Sequence, residues 1–260
     1  MTTGRTPVRR STGGPGRGMR RGVLALAVAG ALGASAVACS SGSSGGSGAD
    51  SGGSDAADLV VKTSPHAARL AKLPAKAEGA EIVVGSPSAP HTVQVYEDPR
   101  CPYCAKFESS GAVALNDLAA RGKVKIRYTV ASFLDRNLGG GGSARAAGAL
   151  RAAVDAGRFA EYHAAVFASQ PEDEATDGYT ADNLLRIADK VSGLRGAAFD
   201  RAVREDTYKS WVKSAEKAFE DSGVNSSPTV LIDGKRPPGD GSAILDADAF
   251  AKVLKDAGIS

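Results

Sequence analysis

The stretch Thr92-Val93-Gln94-Val95-Tyr96-Glu97-Asp98-Pro99-Arg100-Cys101-Pro102-Tyr103-Cys104 decides how this chain folds. It opens as a β-rich run from Thr92 to Tyr96 and turns at Glu97-Asp98-Pro99-Arg100. It then sets two cysteines at the head of a helix expected over 102–121, with Gly122 as the stop. Phe107, Ala114, Leu115 and Leu118 give that helix an apolar face. Beyond it, Val124, Ile126, Tyr128 and Val130 alternate with Lys125, Arg127 and Thr129, the pattern of a strand buried on one face. Strand, helix and strand together favour parallel pairing.

The position of the cysteines carries chemistry. A helix N-terminus presents unpaired N–H groups and the positive end of the helix dipole, and both favour a thiolate over a thiol. Cys101 has that position, with Arg100 beside it as a further positive charge. Cys104 lies one turn in, on roughly the same face and more shielded. Cys101 is therefore the expected attacking nucleophile and Cys104 the resolving thiol of a mixed-disulfide exchange. Pro102 sits where its missing N–H costs no helical hydrogen bond. A zinc site would need three or four ligands. There is no second cysteine pair, and His66, His91 and His163 have no metal spacing, so no metal is expected.

Outward from this unit, 81–84 reads as a short strand, 85–90 as a turn cluster and 55–80 as a short helix. The four glycines at 139–142 lack the Gly-Lys-Ser/Thr ending of a phosphate loop and read as a hinge into a helical segment over 143–222. Ser143 is the expected cap of a helix to Ala156 and Thr180 of another, and a third runs over 206–221 with Trp211 as a core residue. Strand character returns at Thr229-Val230-Leu231-Ile232, Asp233-Gly234 is a hairpin turn, and a helix over 246–257 closes the chain.

These motifs resemble those of DsbA-type thiol:disulfide oxidoreductases of the thioredoxin superfamily. The matching residues are Ala89-Pro90-His91-Thr92-Val93, Tyr96-Glu97-Asp98 leading into Cys101-Pro102-Tyr103-Cys104, and Gly223-Val224-Asn225-Ser226-Ser227-Pro228-Thr229. The resemblance covers roughly 78–258. It implies an α/β, thioredoxin-like fold with a helical insertion, at about 141–222, between the βαβ unit and a cis-proline strand. It also implies a cis Ser227–Pro228 bond facing the cysteines. Ser227, Pro228, Pro102 and Tyr103 are then the residues that meet a substrate chain, and no cofactor is needed. The family often has a buried carboxylate six positions before the first cysteine; here that residue is Val95. Proton transfer must then be managed otherwise; Glu97 and Asp98 read as turn residues, with a contribution to that transfer as the alternative, and the histidines as surface or packing residues.

Composition separates the chain into parts. It has 260 residues, 42% hydrophobic and 23% charged, and all its Phe, Tyr and Trp lie at or after Tyr96. The net charge of +3 misleads, because six arginines and no acid fall within 1–38. The remaining 26 basic and 29 acidic residues leave 39–260 at −3, which removes the basic face that nucleic-acid binding requires. An apolar run at 23–38 is short of the roughly 20 residues of a permanent span and reads as an export signal, with Met1 and Met19 as alternative starts. It ends Ala36-Val37-Ala38-Cys39, which resembles a bacterial lipobox apart from Ala36, where Leu is usual. Cys39 is thus the expected lipidation site, followed by a flexible Ser/Gly tether. The expected organisation is a signal at 1–38, cysteine and tether at 39–57, an extension at 58–77 and the thioredoxin-like domain at 78–260.

The function expected is disulfide exchange with exported proteins, reduced or misoxidised, at the outer face of the cell membrane. Oxidase is the favoured direction, since export leads to an oxidising compartment. The resemblance implies a membrane reoxidase of the DsbB or vitamin K epoxide reductase type as partner, and a monomer. A reductase or isomerase for specific clients, and a chaperone-like polypeptide-binding module, are the alternatives.

Overall fold

The computed structural model describes residues 59–260. Cys39, the apolar run before it and the Ser/Gly tether lie outside the described residues. Five strands form one sheet: β1 (Ala75–Glu78), β2 (Glu81–Val84), β3 (His91–Glu97), β4 (Val124–Val130) and β5 (Thr229–Ile232), in the order β1-β2-β4-β3-β5. β3 and β4 are parallel, with Val93 opposite Ile126, and the other pairs are antiparallel. The alternation in β4 holds, with Val124, Ile126, Tyr128 and Val130 all buried. No helix among the described residues is long and apolar enough to cross a membrane.

The helix expected over 102–121 is two helices, α2 (Pro102–Ser109) and α3 (Gly111–Ala120), broken at Ser110. The cause is tertiary. A Cβ on Gly111 would sit 2.0 Å from the Ile244 carbonyl oxygen, so the chain here packs backbone on backbone. The Ser110 hydroxyl approaches the carbonyls of Lys106 at 2.7 Å and Leu245 at 3.0 Å, joining the break to the 3-10 turn Ser242–Leu245. Gly122, at φ +70°, ends α3 as its left-handed conformation allows.

Of the helix expected over 55–80, the described residues 59–80 are not chiefly helical. One turn, α1 (Ala67–Leu70), precedes β1, whose Ala-Lys-Ala-Glu sequence has little strand propensity. Pairing with Ile82, Val83 and Val84 of β2 overrides that preference.

The helical block begins at α4 (Leu134–Leu138), so the glycines at 139–142 are a joint inside it and not its entrance. It continues through α5 (Gly142–Asp155), α6 (Phe159–Ala168), α7 (Ala181–Ala188), α8 (Ala197–Arg204) and α9 (Lys209–Asp221). Thr180 caps α7, its hydroxyl accepting from the Asn183 N–H at 3.2 Å. Ser143 does not cap α5; it lies inside the helix and turns its hydroxyl elsewhere. Trp211 is also displaced from its expected place. It is half-buried at the margin of the block, and its Nε1 donates to the Gly79 carbonyl at 2.8 Å.

After β5, Asp233 (φ 47°) and Gly234 (φ 77°) make the expected turn, returning as a single bridge between Ile232 and Lys235. Asp246 caps α10 (Ala247–Asp256), whose Phe250 and Leu254 are buried.

Candidate active site

β3 delivers the chain to the site and α2 carries it away. Cys101 flanks the N-terminus of α2 in an extended conformation, and Cys104 lies in its first turn. Both are free thiols; Cys101 is 7% exposed and Cys104 fully buried. Gln170, just after α6, donates to the carbonyls of Pro99 (2.7 Å) and Cys101 (3.0 Å), so the helical block clamps the turn that presents the cysteines.

The second motif arrives from 126 positions away. The Ser227–Pro228 peptide is cis, and the Cys101 thiol donates to the Ser227 carbonyl at 3.3 Å. Tyr103, Ser227 and Pro228 line one groove of about 440 Å³ with Arg236, Pro237 and Ile244. Tyr103 is the most exposed aromatic beside it, at 62%. Pro102 is exposed next to Cys101 but does not line this groove.

The two thiols are held in opposite states. Cys101 is lowered to about 6, first by the Cys104 thiol, which donates to its sulfur, against the cost of burial. The Ser227 side chain and the N–H groups of Cys104 and Tyr103 add to this. Those amides are the free donors of a helix N-terminus. Cys104 is pushed well up, by burial first, then by its bond to Cys101 and the nearby charges of Cys101 and Glu97.

Arg100 does not supply the positive charge expected of it. Its side chain is 1% exposed and turned into the helical block. There it donates to the carbonyls of Gly139 (2.7 Å), Glu174 (2.9 Å) and Ala175 (3.2 Å) and pairs with Asp135 at 3.1 Å. A guanidinium so committed is a brace between the turn and the insertion.

Glu97 and Asp98 are not exposed turn residues. β3 runs on to Glu97, and both carboxyls are fully buried. Asp98 accepts from the Ser143 hydroxyl (2.6 Å), the Arg100 N–H (2.9 Å) and the Leu134 N–H (3.0 Å). Burial still pushes it up to about 7. Glu97 is raised well above the carboxylate range by burial, then by Cys101 and Asp98. It therefore occupies, at a different position in the sequence, the electrostatic setting that Val95 leaves empty.

Two further residues stand at the site: Glu108, which the sequence did not single out, and His163, which it read as a surface or packing residue. His163 of α6 is buried among the rings of Tyr128, Phe159 and Phe167 and meets Glu97 Oε1 through Nε2 at 2.6 Å. Its Nδ1 faces Glu108 Oε2 at 3.5 Å. Glu108 was legible in principle: it stands four residues after Cys104, on the face that α2 buries. His163 had no such mark, because α6 is buried on nearly every side and shows no contrast of faces. The donor atoms of Glu97, Glu108 and His163 lie within 4.8 Å of one another. The imidazole turns one nitrogen to each carboxyl, so the groups form a chain instead of converging on one point.

Residues 77–256 match the Thioredoxin family model. The chain is 27% identical over 157 residues to the serine/threonine-protein kinase PknE of Mycobacterium tuberculosis, a match covering 58% of this chain and 28% of the kinase. It is thus similar to only about a quarter of that protein's length. It is 26% identical over 156 residues to disulfide bond formation protein D of Bacillus subtilis, covering 59% of this chain and 68% of that one. The crystal structure of oxidised BdbD from Bacillus subtilis superposes with a TM-score of 0.58 at 21% identity, covering 71% of this chain and 96% of that chain. With the matched segment running from β2 through the cysteine pair and the cis-proline to α10, the chain belongs to the thioredoxin family.

Proposed function

We propose that this protein is an exported thiol:disulfide oxidoreductase whose Cys101–Cys104 disulfide is exchanged with cysteines of substrate proteins, acting as an oxidase. The observation that carries this reading is the unequal pair: Cys101 lowered to about 6 and 7% exposed beside Ser227, Cys104 raised and fully enclosed. A substrate thiolate attacks Cys101 in the disulfide, the S–S bond breaks, and Cys104 leaves with the electron pair. A second substrate thiolate then displaces Cys101. The substrate dithiol is oxidised and the enzyme disulfide reduced, two electrons passing from substrate to enzyme.

A nucleophile with a lowered pKa stabilises the reduced enzyme and so strengthens the oxidised form as an oxidant. The groove at Tyr103, Ser227 and Pro228 supports a polypeptide substrate, with the backbone of Ser227 open to strand-like pairing. The basic leader, the apolar run and Cys39 support export and a lipid anchor, and a membrane reoxidase would return the enzyme to its disulfide state.

The reduction potential of the purified protein, measured against a glutathione series, tests the direction. Strong oxidants lie near about −120 mV and reductants near about −270 mV. A value on the oxidising side of about −200 mV is expected, and one near −270 mV would overturn the oxidase reading.

A further inference from the structure

We propose that Arg236 selects substrates: the groove beside Cys101 favours a polypeptide that carries an acidic side chain at a fixed distance from its reacting cysteine. The proposal rests on the exchange reading above and names the class of substrate for that same site.

The groove opens because two prolines follow β5. Past the Asp233-Gly234 turn the chain starts back along the strand, and Ile232 and Lys235 exchange backbone hydrogen bonds at 2.8 and 3.0 Å. Continued in register, Pro237 would fall opposite Val230, but a proline has no N–H to give to a ladder. The pairing stops at Lys235, and residues 236–242 continue as a loop before the 3-10 turn. The groove of about 440 Å³ lies between that loop and β5. Tyr103, Ser227 and Pro228 line it from the cysteine side, Val230 from β5, and Arg236 and Asp240 from the loop.

The two charged residues differ in what they are tied to. Asp240 Oδ1 accepts the Ser242 N–H at 2.9 Å, so this carboxylate holds its own loop together. Arg236 is exposed and has neither a hydrogen bond nor an ion pair among the described residues. It also borders a second hollow, with Asp233 and Asp256. Both of those carboxylates are taken. Asp233 accepts the Thr92 N–H at 2.8 Å and meets His91 Nδ1 at 2.8 Å, and Asp256 pairs with Lys252. Every acid that shares a hollow with Arg236 thus has a partner of its own, and the guanidinium keeps its donors for an incoming group.

A guanidinium holds a carboxylate through two parallel N–H···O bonds, and it repels a lysine or arginine brought to the same place. The substrate cysteine must reach Cys101, whose thiol lies 3.3 Å from the Ser227 carbonyl. An extended chain advances about 3.3 Å per residue, so only a narrow window of positions beside that cysteine comes level with Arg236. Asp240 keeps the lining close to neutral, so the groove does not draw acidic chains at large. The preference is set by position.

The test uses the oxidised protein and reduced two-cysteine peptides in which a single glutamate is moved along the chain. Each is matched with a peptide that has glutamine at the same place. The readout is the ratio of second-order oxidation rates, Glu over Gln, which cancels any general change in activity. Wild type is expected to give a ratio of about three to five within one narrow window and about one elsewhere. Arg236→Gln is expected to bring the ratio in that window to about one. Arg236→Glu is expected to invert it, with a lysine peptide now oxidised faster than its glutamine match. A wild-type ratio of about one at every position would overturn the proposal, as would a ratio that survives in Arg236→Gln. Glutamate favoured equally at all positions would overturn it too, since net charge alone would then be the cause. A wild-type protein that oxidises none of the peptides would overturn the exchange reading itself.

Discussion

Cys101 and Ser227 meet through a 3.3 Å hydrogen bond from the thiol to the Ser227 carbonyl, across 126 positions of sequence. Neither motif makes a site alone. The βαβ unit sets Cys101 at a helix N-terminus, and β5 brings Ser227 and Pro228 to it through antiparallel pairing with β3. The helical block between them is the length of chain that lets the two ends meet.

The asymmetry of the thiols should be visible in their reactivity. Pulses of iodoacetamide on the reduced protein, read by mass spectrometry from pH 4 to 9, are expected to label Cys101 with a midpoint near pH 6. Cys104 should stay unlabelled across that range, because burial holds it as a thiol.

Ser227 is the residue most open to tuning. Its side chain bonds the Cys101 sulfur and favours the thiolate, while its carbonyl is backbone and survives substitution. Ser227→Ala is expected to raise the Cys101 midpoint by about one pH unit, the size of one hydrogen bond to a charged group. The same alkylation profile measures it.

Arg100 should matter for stability and not for thiol activation. Arg100→Ala leaves three carbonyls and Asp135 without their cation and is expected to cost about 3 kcal/mol or more in urea unfolding. The Cys101 midpoint should stay within a few tenths of a pH unit of wild type, since the guanidinium points into the helical block.

Buried carboxyls give stability a definite pH slope. Asp98 at about 7 and Glu108 at about 8 hold protons in the folded state that the unfolded chain, with carboxyls near about 4, has already lost. The folded state binds more protons, so stability falls as pH rises through these values. His163, lowered by burial, acts in the opposite sense but only below about 6.5. The oxidised protein, in which neither cysteine titrates, is therefore expected to lose stability from pH 6.5 to 8.5. Glu108→Gln should flatten the loss, as read from urea midpoints.

The leader makes its own prediction. Intact mass of the protein recovered from membranes should correspond to a chain beginning at lipid-modified Cys39. A soluble product cleaved elsewhere would remove the anchor and leave the exchange chemistry untouched.

What could be read from the sequence was whatever has a local signature. Alternation revealed β4, glycine and aspartate the turn at 233–234, and Thr180 its helix. Residues defined by distant partners were misread. Ser110 breaks a helix because Gly111 meets the backbone of Ile244, and β1 is a strand because β2 lies beside it. Glu97 and Asp98 look like turn residues until β4 and the helical block enclose them. α6 shows no amphipathic contrast because nearly every side of it is buried, and this hid His163.

Trp211 has a practical use. It is the only tryptophan in the chain, and it joins α9 to the turn between β1 and β2. The tryptophan emission of this protein thus comes from the seam where the helices rest on the sheet's hairpin. Fluorescence would report the helical layer lifting from that hairpin. One chromophore then follows the joining of these two elements with no label added.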